Sequence, residues 1–111
     1  MSDCLFCKIV AGEIPSERVY EDDRVVVFQD INPKARVHLL LVPREHIAGL
    51  DELDAEHDAL IAHCMRLLPQ LARDAGLAGG FRTIINTGKG AGQEVFHLHI
   101  HLLGGDGLPG F

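Results

Sequence analysis

The apolar positions of this chain follow two periods, and these divide it into elements. From residue 97 the order is His97-Leu98-His99-Ile100-His101-Leu102-Leu103. Side chains along a strand point to opposite faces with period two. Residues 95–103 therefore read as a strand, with Leu98, Ile100 and Leu102 on one face and three histidines on the other. Two shorter apolar runs, 25–28 and 38–42, read as buried strands. The first is rich in β-branched valine, and the second is closed by Pro43. Residues 18–20 and 81–86 supply two more strands. Within 51–75 the spacing changes: Leu60, Ile61, Cys64, Leu67, Leu68, Leu71 and Ala75 recur every three or four residues and predict one long helix. Asp54 can cap its start and Gly76 can end it, while Pro69 inside the span predicts a kink or an early break. A short N-terminal helix is expected before Gly12, with Pro15 close behind. Acidic 21–24, the break Asp30-Ile31-Asn32-Pro33 and the glycine-containing 87–92 read as turns and loop. About five strands with one long helix is the α+β pattern, and the short links make the sheet mostly antiparallel.

Length and charge narrow the function. A chain of 111 residues makes one domain, 1–111. Its net charge of −6 lacks the continuous basic surface that a nucleic-acid polymer needs. The longest aliphatic run, 39–42, is far short of the roughly 20 residues that span a bilayer, and Lys8 interrupts the early apolar stretch that a signal peptide would need. Three cysteines, an odd count, do not suggest a disulfide-stapled secreted domain; the expected compartment is the cytoplasm. Histidine is the unusual component: seven residues, against one tyrosine and no tryptophan.

Three histidines on one strand face admit several chemistries. A solvated polar face is the plain one, but Thr, Lys or Glu would serve it as well. A metal site is limited by reach. The Cα atoms of His97 and His101 would lie about 13 Å apart at roughly 3.3 Å per residue, so two of the three could share an ion with a ligand from elsewhere, whereas all three could not easily do so. The third chemistry is nucleophilic: neutral imidazole can attack phosphorus while its neighbours hold phosphate oxygens and fix the tautomer. Separately, Cys4-x-x-Cys7 is half a zinc site by spacing, or a redox dithiol, although the βαβ setting of a redox motif is absent. Cys64 lies on the apolar helix face as a core thiol, and His57 and His63 have no legible role.

The motif from His97 to Leu103 resembles the signature of the histidine-triad superfamily. The likeness extends over nearly the whole chain: Leu5-Phe6-Cys7-Lys8-Ile9, Glu13-Ile14-Pro15, Glu21-Asp22-Asp23, Phe28-Gln29-Asp30-Ile31-Asn32-Pro33, His38 and the Gly92-Gln93 approach. The ending Leu102-Leu103-Gly104-Gly105 is similar to the purine nucleoside phosphoramidase branch. The resemblance implies a hydrolase of nucleoside 5′-phosphoramidates with His99 as nucleophile through a covalent nucleotidyl-histidine. His101 would bond the phosphate, and His38 and His97 would lie behind the nucleophile. It implies a nucleotide pocket of Asp30 on the ribose hydroxyls, Leu5, Phe6, Ile9, Phe28, Ile31 and Leu40 around the base, and Asn86, Gly92, Gln93 and Glu94 near the phosphate. By composition alone the apolar six are core.

Glu94 stands where many members carry Ser or Thr, which puts leaving-group preference in question, since an ionised carboxylate cannot donate a hydrogen bond. The resemblance further implies a structural zinc ion on Cys4, Cys7, His46 and His97, no catalytic metal or organic cofactor, and a homodimer joined through the 81–86 edge and the long helices. Competing readings are a dinucleoside polyphosphate hydrolase, a zinc-dependent hydrolase using two triad histidines, and a non-catalytic nucleotide- or zinc-binding regulator.

Overall fold

The computed structural model describes residues 3–110. Five strands form one sheet: β1 (Arg18–Glu21), β2 (Val25–Gln29), β3 (Val37–Pro43), β4 (Arg82–Ile84) and β5 (Ile100–Gly104). Their order is β1-β2-β3-β5-β4, and every neighbouring pair is antiparallel. The expected α+β architecture is what folds, with a six-residue helix α1 (Leu5–Val10) and a long helix α2 (Asp58–Asp74).

The sheet has two buried faces. Val25, Val27, Leu39, Leu41, Ile100 and Leu102 pack against Cys64, Leu68, Leu71 and Ala72 of α2. Val26, Phe28, Leu40 and Val42 pack against Phe6 and Ile9 of α1. Strands covered on both sides lose the polar alternation, which is why 25–28 and 39–42 are continuously apolar. The pairing of β3 with β5 sets Leu39 opposite Leu102 on the α2 side of the sheet and Leu40 opposite His101 on the α1 side.

Several boundaries differ from expectation. The long helix begins at Asp58, not beside Asp54. Asp54 instead caps a 3-10 turn over Ala55–His57: it accepts from the Glu56 N–H at 2.9 Å, and His57 Nδ1 accepts from the Asp54 N–H at 3.0 Å. Pro69 does not break α2, which continues to Asp74. The carbonyl that Pro69 leaves without an amide is that of Met65, a residue on the exposed side of α2, 42% accessible. The end of α2 is fixed by Gly76 at φ +82°. Its N–H bonds Arg73 O at 3.0 Å and the Leu77 N–H bonds Ala72 O at 2.9 Å, the paired closure that satisfies last-turn carbonyls. The last strand starts at Ile100, not 95, because 93–99 is irregular chain. β4 is shorter than 81–86.

His63 gains a role that the sequence did not reveal. Its Nε2 lies 2.7 Å from Asp22 Oδ2, which also accepts from Tyr20 Oη at 2.8 Å, and Asp22 Oδ1 accepts from the Arg24 and Val25 N–H groups. Burial pushes this carboxyl up, but these four hydrogen bonds outweigh it and hold Asp22 well below the usual carboxylate range. The cluster ties α2 to the β1–β2 turn. Burial, with Asp22 nearby, pushes the Cys64 thiol up to about 11, so it packs as a neutral apolar group. Among the described residues no helix is long and apolar enough to cross a membrane.

Candidate active site

The triad is held by irregular chain running into β5. The Leu98 N–H bonds Ile47 O at 2.6 Å, and Leu98 is buried like Ile100 and Leu102. The period-two segregation therefore survives although the ladder begins only at Ile100. The histidines follow one another past Phe6: its ring lies edge-on to His97 at 6.1 Å and to His99 at 4.9 Å, and His99 to His101 is 5.1 Å. His99 Nδ1 sits 2.7 Å from the His97 carbonyl oxygen. A carbonyl can only accept, so Nδ1 carries the proton and Nε2 keeps its lone pair. His99 thus has a fixed tautomer, with its free lone pair on Nε2.

His38 is not behind that nucleophile, as expected, but behind His101. The β3–β5 register brings His38 Nε2 to 2.9 Å from His101 Nδ1. The Lys34 N–H donates to His38 Nδ1 at 3.0 Å, so in neutral His38 the proton is on Nε2 and can be given to His101 Nδ1. His101 then carries its own proton on Nε2, as a donor. Asp30 Oδ2 lies 3.3 Å from the same His38 Nε2. Asp30, His38 and His101 are close enough to be considered as metal ligands, but a neutral His38 fixed by Lys34 has no lone pair at Nε2 to give. Burial holds both rings neutral: it lowers His38, and it lowers His101 to about 4, with His99 and His38 adding to the fall in His101.

A second cluster sits on the other side of His97. Cys4, the N-cap of α1, and Cys7 within it face His46 from the chain just after β3 and His97 from the approach to β5, and all four ligand atoms lie within 4.8 Å of one another. Cys4 Sγ to His97 Nδ1 is 3.4 Å, Cys7 Sγ to His46 Nδ1 3.2 Å, Cys7 Sγ to His97 Nδ1 3.5 Å, and His46 Nδ1 to His97 Nδ1 3.2 Å. A tetrahedral ion with zinc-like bonds of 2.0–2.3 Å needs ligand edges of about 3.3–3.8 Å. His97 Nε2 donates to Pro43 O at 2.7 Å, which leaves Nδ1 as the lone-pair atom, the outer hydrogen bond a metal-bound histidine makes. The four residues therefore form a group that can hold a metal ion. His97 belongs to both clusters, its ring to the thiols and its carbonyl to His99.

The remaining predicted residues divide. Phe6, Ile9, Phe28 and Leu40 are buried in the α1 layer. Leu5 and Ile31 are not core: they are 44% and 91% exposed, because Leu5 opens α1 and Ile31 rides the 30–33 turn. Asn86 and His101 line one groove of about 360 Å³ with Lys34, Arg82, Ile84 and Leu103. Lys34 and Arg82 were missed by the sequence reading, since only the sheet order brings them beside His101. Gln93 is spent on the backbone: its Oε1 accepts from the Gly88 N–H, and its Nε2 donates to Ala48 O and Val95 O. It shapes the loop in which Gly92 turns at φ +91°. Glu94 beside it is exposed. A larger cleft of about 460 Å³ around Arg36, Phe81 and Gly105 contains none of the triad histidines.

Comparison with known proteins agrees with this geometry. A family model described as "Scavenger mRNA decapping enzyme C-term binding" matches residues 3–108. Protein HitA of Neisseria gonorrhoeae is 54% identical over 104 residues, covering 94% of this chain and 97% of that protein. The chain belongs to this family, within the histidine-triad (HIT) superfamily. Two other HIT relatives are similar throughout. The purine nucleoside phosphoramidase of Escherichia coli (strain K12) is 41% identical over 104 residues, covering 93% of this chain and 87% of that one. The crystal structure of a HIT family hydrolase from Legionella pneumophila Philadelphia 1 has a TM-score of 0.93 at 42% identity, covering 96% of each chain.

Proposed function

We propose that this HIT protein is a nucleotide hydrolase that cleaves purine nucleoside 5′-phosphoramidates. The observation that carries the reading is the His99 Nδ1–H bond to the His97 carbonyl, which leaves the lone pair on Nε2. Nε2 attacks the α-phosphorus, and the phosphorus–nitrogen bond to the amine breaks. The His101 Nε2–H donates to a phosphoryl oxygen, and the departing amine takes its proton from water. The nucleotide is then on His99, whose cationic ring is met by the His97 carbonyl. Water attacks the same phosphorus, releases its proton to solvent, and frees the nucleoside monophosphate as the phosphorus–nitrogen bond to His99 breaks and its ring becomes neutral again. One difficult displacement becomes two easier ones. In this reading Asp30 takes the ribose hydroxyls, with Phe6, Ile9, Phe28 and Leu40 under the base and Leu5 and Ile31 at its exposed rim. Asn86, Gly92, Gln93 and Glu94 form the phosphate side. The E. coli relative's name supports this substrate class.

The cysteine–histidine group is assigned to zinc by its donor set, two thiols and two imidazoles. When bound, the ion would supply structural cross-linking between α1 and the His97 segment. Two open features support a homodimer. β4 is an edge strand paired only with β5, and Met65 and Phe81 are each 42% exposed. Thiol ligands fit a reducing cytoplasm.

Incubation with adenosine 5′-phosphoramidate, followed by acid quench-free mass mapping of the trapped nucleotide, tests the reading. His99→Gly should bind AMP yet lose turnover and covalent labelling. Label on another residue, or near-wild-type hydrolysis by His99→Gly, overturns it. Preferential turnover of diadenosine polyphosphates would move the protein to the dinucleoside hydrolases.

A further inference from the structure

The carboxylate of Asp30 touches the catalytic hydrogen-bond chain. Its Oδ1 accepts from the Asn32 N–H at 2.8 Å, and its Oδ2 lies 3.3 Å from His38 Nε2. That same nitrogen is 2.9 Å from His101 Nδ1. Because the Lys34 N–H occupies His38 Nδ1, neutral His38 has one proton, on Nε2, and two acceptors compete for it. The carboxylate oxygen is the stronger acceptor by charge; the imidazole nitrogen is the nearer. Which of them holds the proton depends on what else the carboxylate is bonding.

We propose that Asp30 is a positioning residue for the chemistry as well as a sugar acceptor: hydroxyl groups that donate to its carboxylate release the His38 Nε2–H wholly to His101 Nδ1. His101 is then held in the tautomer whose Nε2–H faces the phosphoryl group. No covalent bond changes in this step; a shared hydrogen bond becomes unshared. Ribose recognition is thereby coupled to hydrogen-bond donation onto the phosphoryl group, and the favoured substrates are ribonucleotides over sugars without vicinal hydroxyls. The sugar half of this inference rests on the function proposed above, while the Asp30–His38–His101 coupling stands on geometry alone.

Asp30→Asn is the informative variant, since it keeps an Oδ1 acceptor for Asn32 while its Nδ2, a donor, cannot accept the His38 Nε2–H. In the free protein, nitrogen-15 NMR of the imidazoles should show the His38 and His101 signals moved by this substitution and the His99 signals unmoved. Unmoved His38 and His101 signals overturn the coupling, whatever the protein hydrolyses.

In the wild-type protein, saturating 2′,3′-dideoxyadenosine 5′-phosphoramidate should turn over about tenfold more slowly than the adenosine compound, a fraction of what one positioned donor to developing phosphoryl charge supplies. In Asp30→Asn the two kcat values should converge. A hydroxyl effect confined to KM overturns the coupling and leaves Asp30 as a sugar acceptor only. A wild-type protein that neither binds AMP nor turns over either compound removes the proposed function; the NMR comparison then still decides the Asp30–His38 contact.

Discussion

His101 is neutral in the folded protein over a wider pH range than a free imidazole. Burial, then the neighbouring His99 and His38, lowers it to about 4 from an ordinary 6.5, and burial lowers His38 in the same direction. The sign of the linked stability follows. Between those two values the unfolded chain binds a proton that the folded chain refuses, so protons favour unfolding. Stability is unaffected by these groups above about pH 6.5 and falls as the pH drops toward 4, levelling below it. Calorimetry from pH 7 to 4 should therefore show a declining Tm. His101→Asn should make the decline shallower, the remainder coming from His38 and other groups. An unchanged slope in the variant would show that His101 ionises freely in the fold. The same neutrality lets His101 accept from His38 at Nδ1 while donating from Nε2, which a protonated ring cannot do.

At the scale of elements, the junction of α2 with β5 is a test of packing. Leu77, just beyond the closure of α2, is buried with its side chain against Gly104, where a Cβ has no room. Gly104→Ala should cost about 1–3 kcal/mol by overpacking, and Leu77→Ala about 2–5 kcal/mol by leaving a cavity. Because the added methyl falls in the vacated space, the double variant should be more stable than the sum of the two losses predicts; chemical denaturation of the four proteins measures the coupling. This contact also marks where sequence reading ends. Period two separated Leu98, Ile100 and Leu102 from the three histidines, and period 3.6 found the face of α2, because burial imposes both. The start of β5 was not legible. Gln93 diverts the backbone through its bonds to Ala48 and Val95, and no local pattern encodes a partner 45 residues away. The metal group had been assembled only through a family likeness, and the fold brings its four residues together. The His38–His101 bond depends on the β3–β5 register, and so escaped it.

The whole molecule is organised around a chain reversal that lays the N-terminal helix over the last strand's approach. Homodimer formation through β4 would protect an edge that otherwise presents unpaired backbone groups. Light scattering at micromolar concentration should give twice the chain mass of 12.1 kDa, and Ile84→Asp, on that edge strand, should shift it toward monomer. A wild-type monomer would refute the assembly.

The cysteine–histidine group makes a different claim about the whole molecule, since it adds polar ligands to the apolar packing that already joins α1 to β3 and the triad. Without an ion, two thiols and two imidazoles converge within 4.8 Å on a helix of six residues that has little propensity to persist alone. With one, the binding energy becomes folding energy for that corner. Protein purified under reducing conditions should carry about one zinc per chain. Cys7→Ser should lose it and lower the Tm, while chelation of the wild-type protein should reproduce that loss without a mutation. Turnover should fall less than stability. The His97 carbonyl that orients His99 is positioned also by the His97 Nε2–H bond to Pro43 and by the Leu98 N–H bond to Ile47, neither of which involves a thiol. Metal analysis finding no zinc, or turnover lost in step with the metal, would reject a structural ion at this corner.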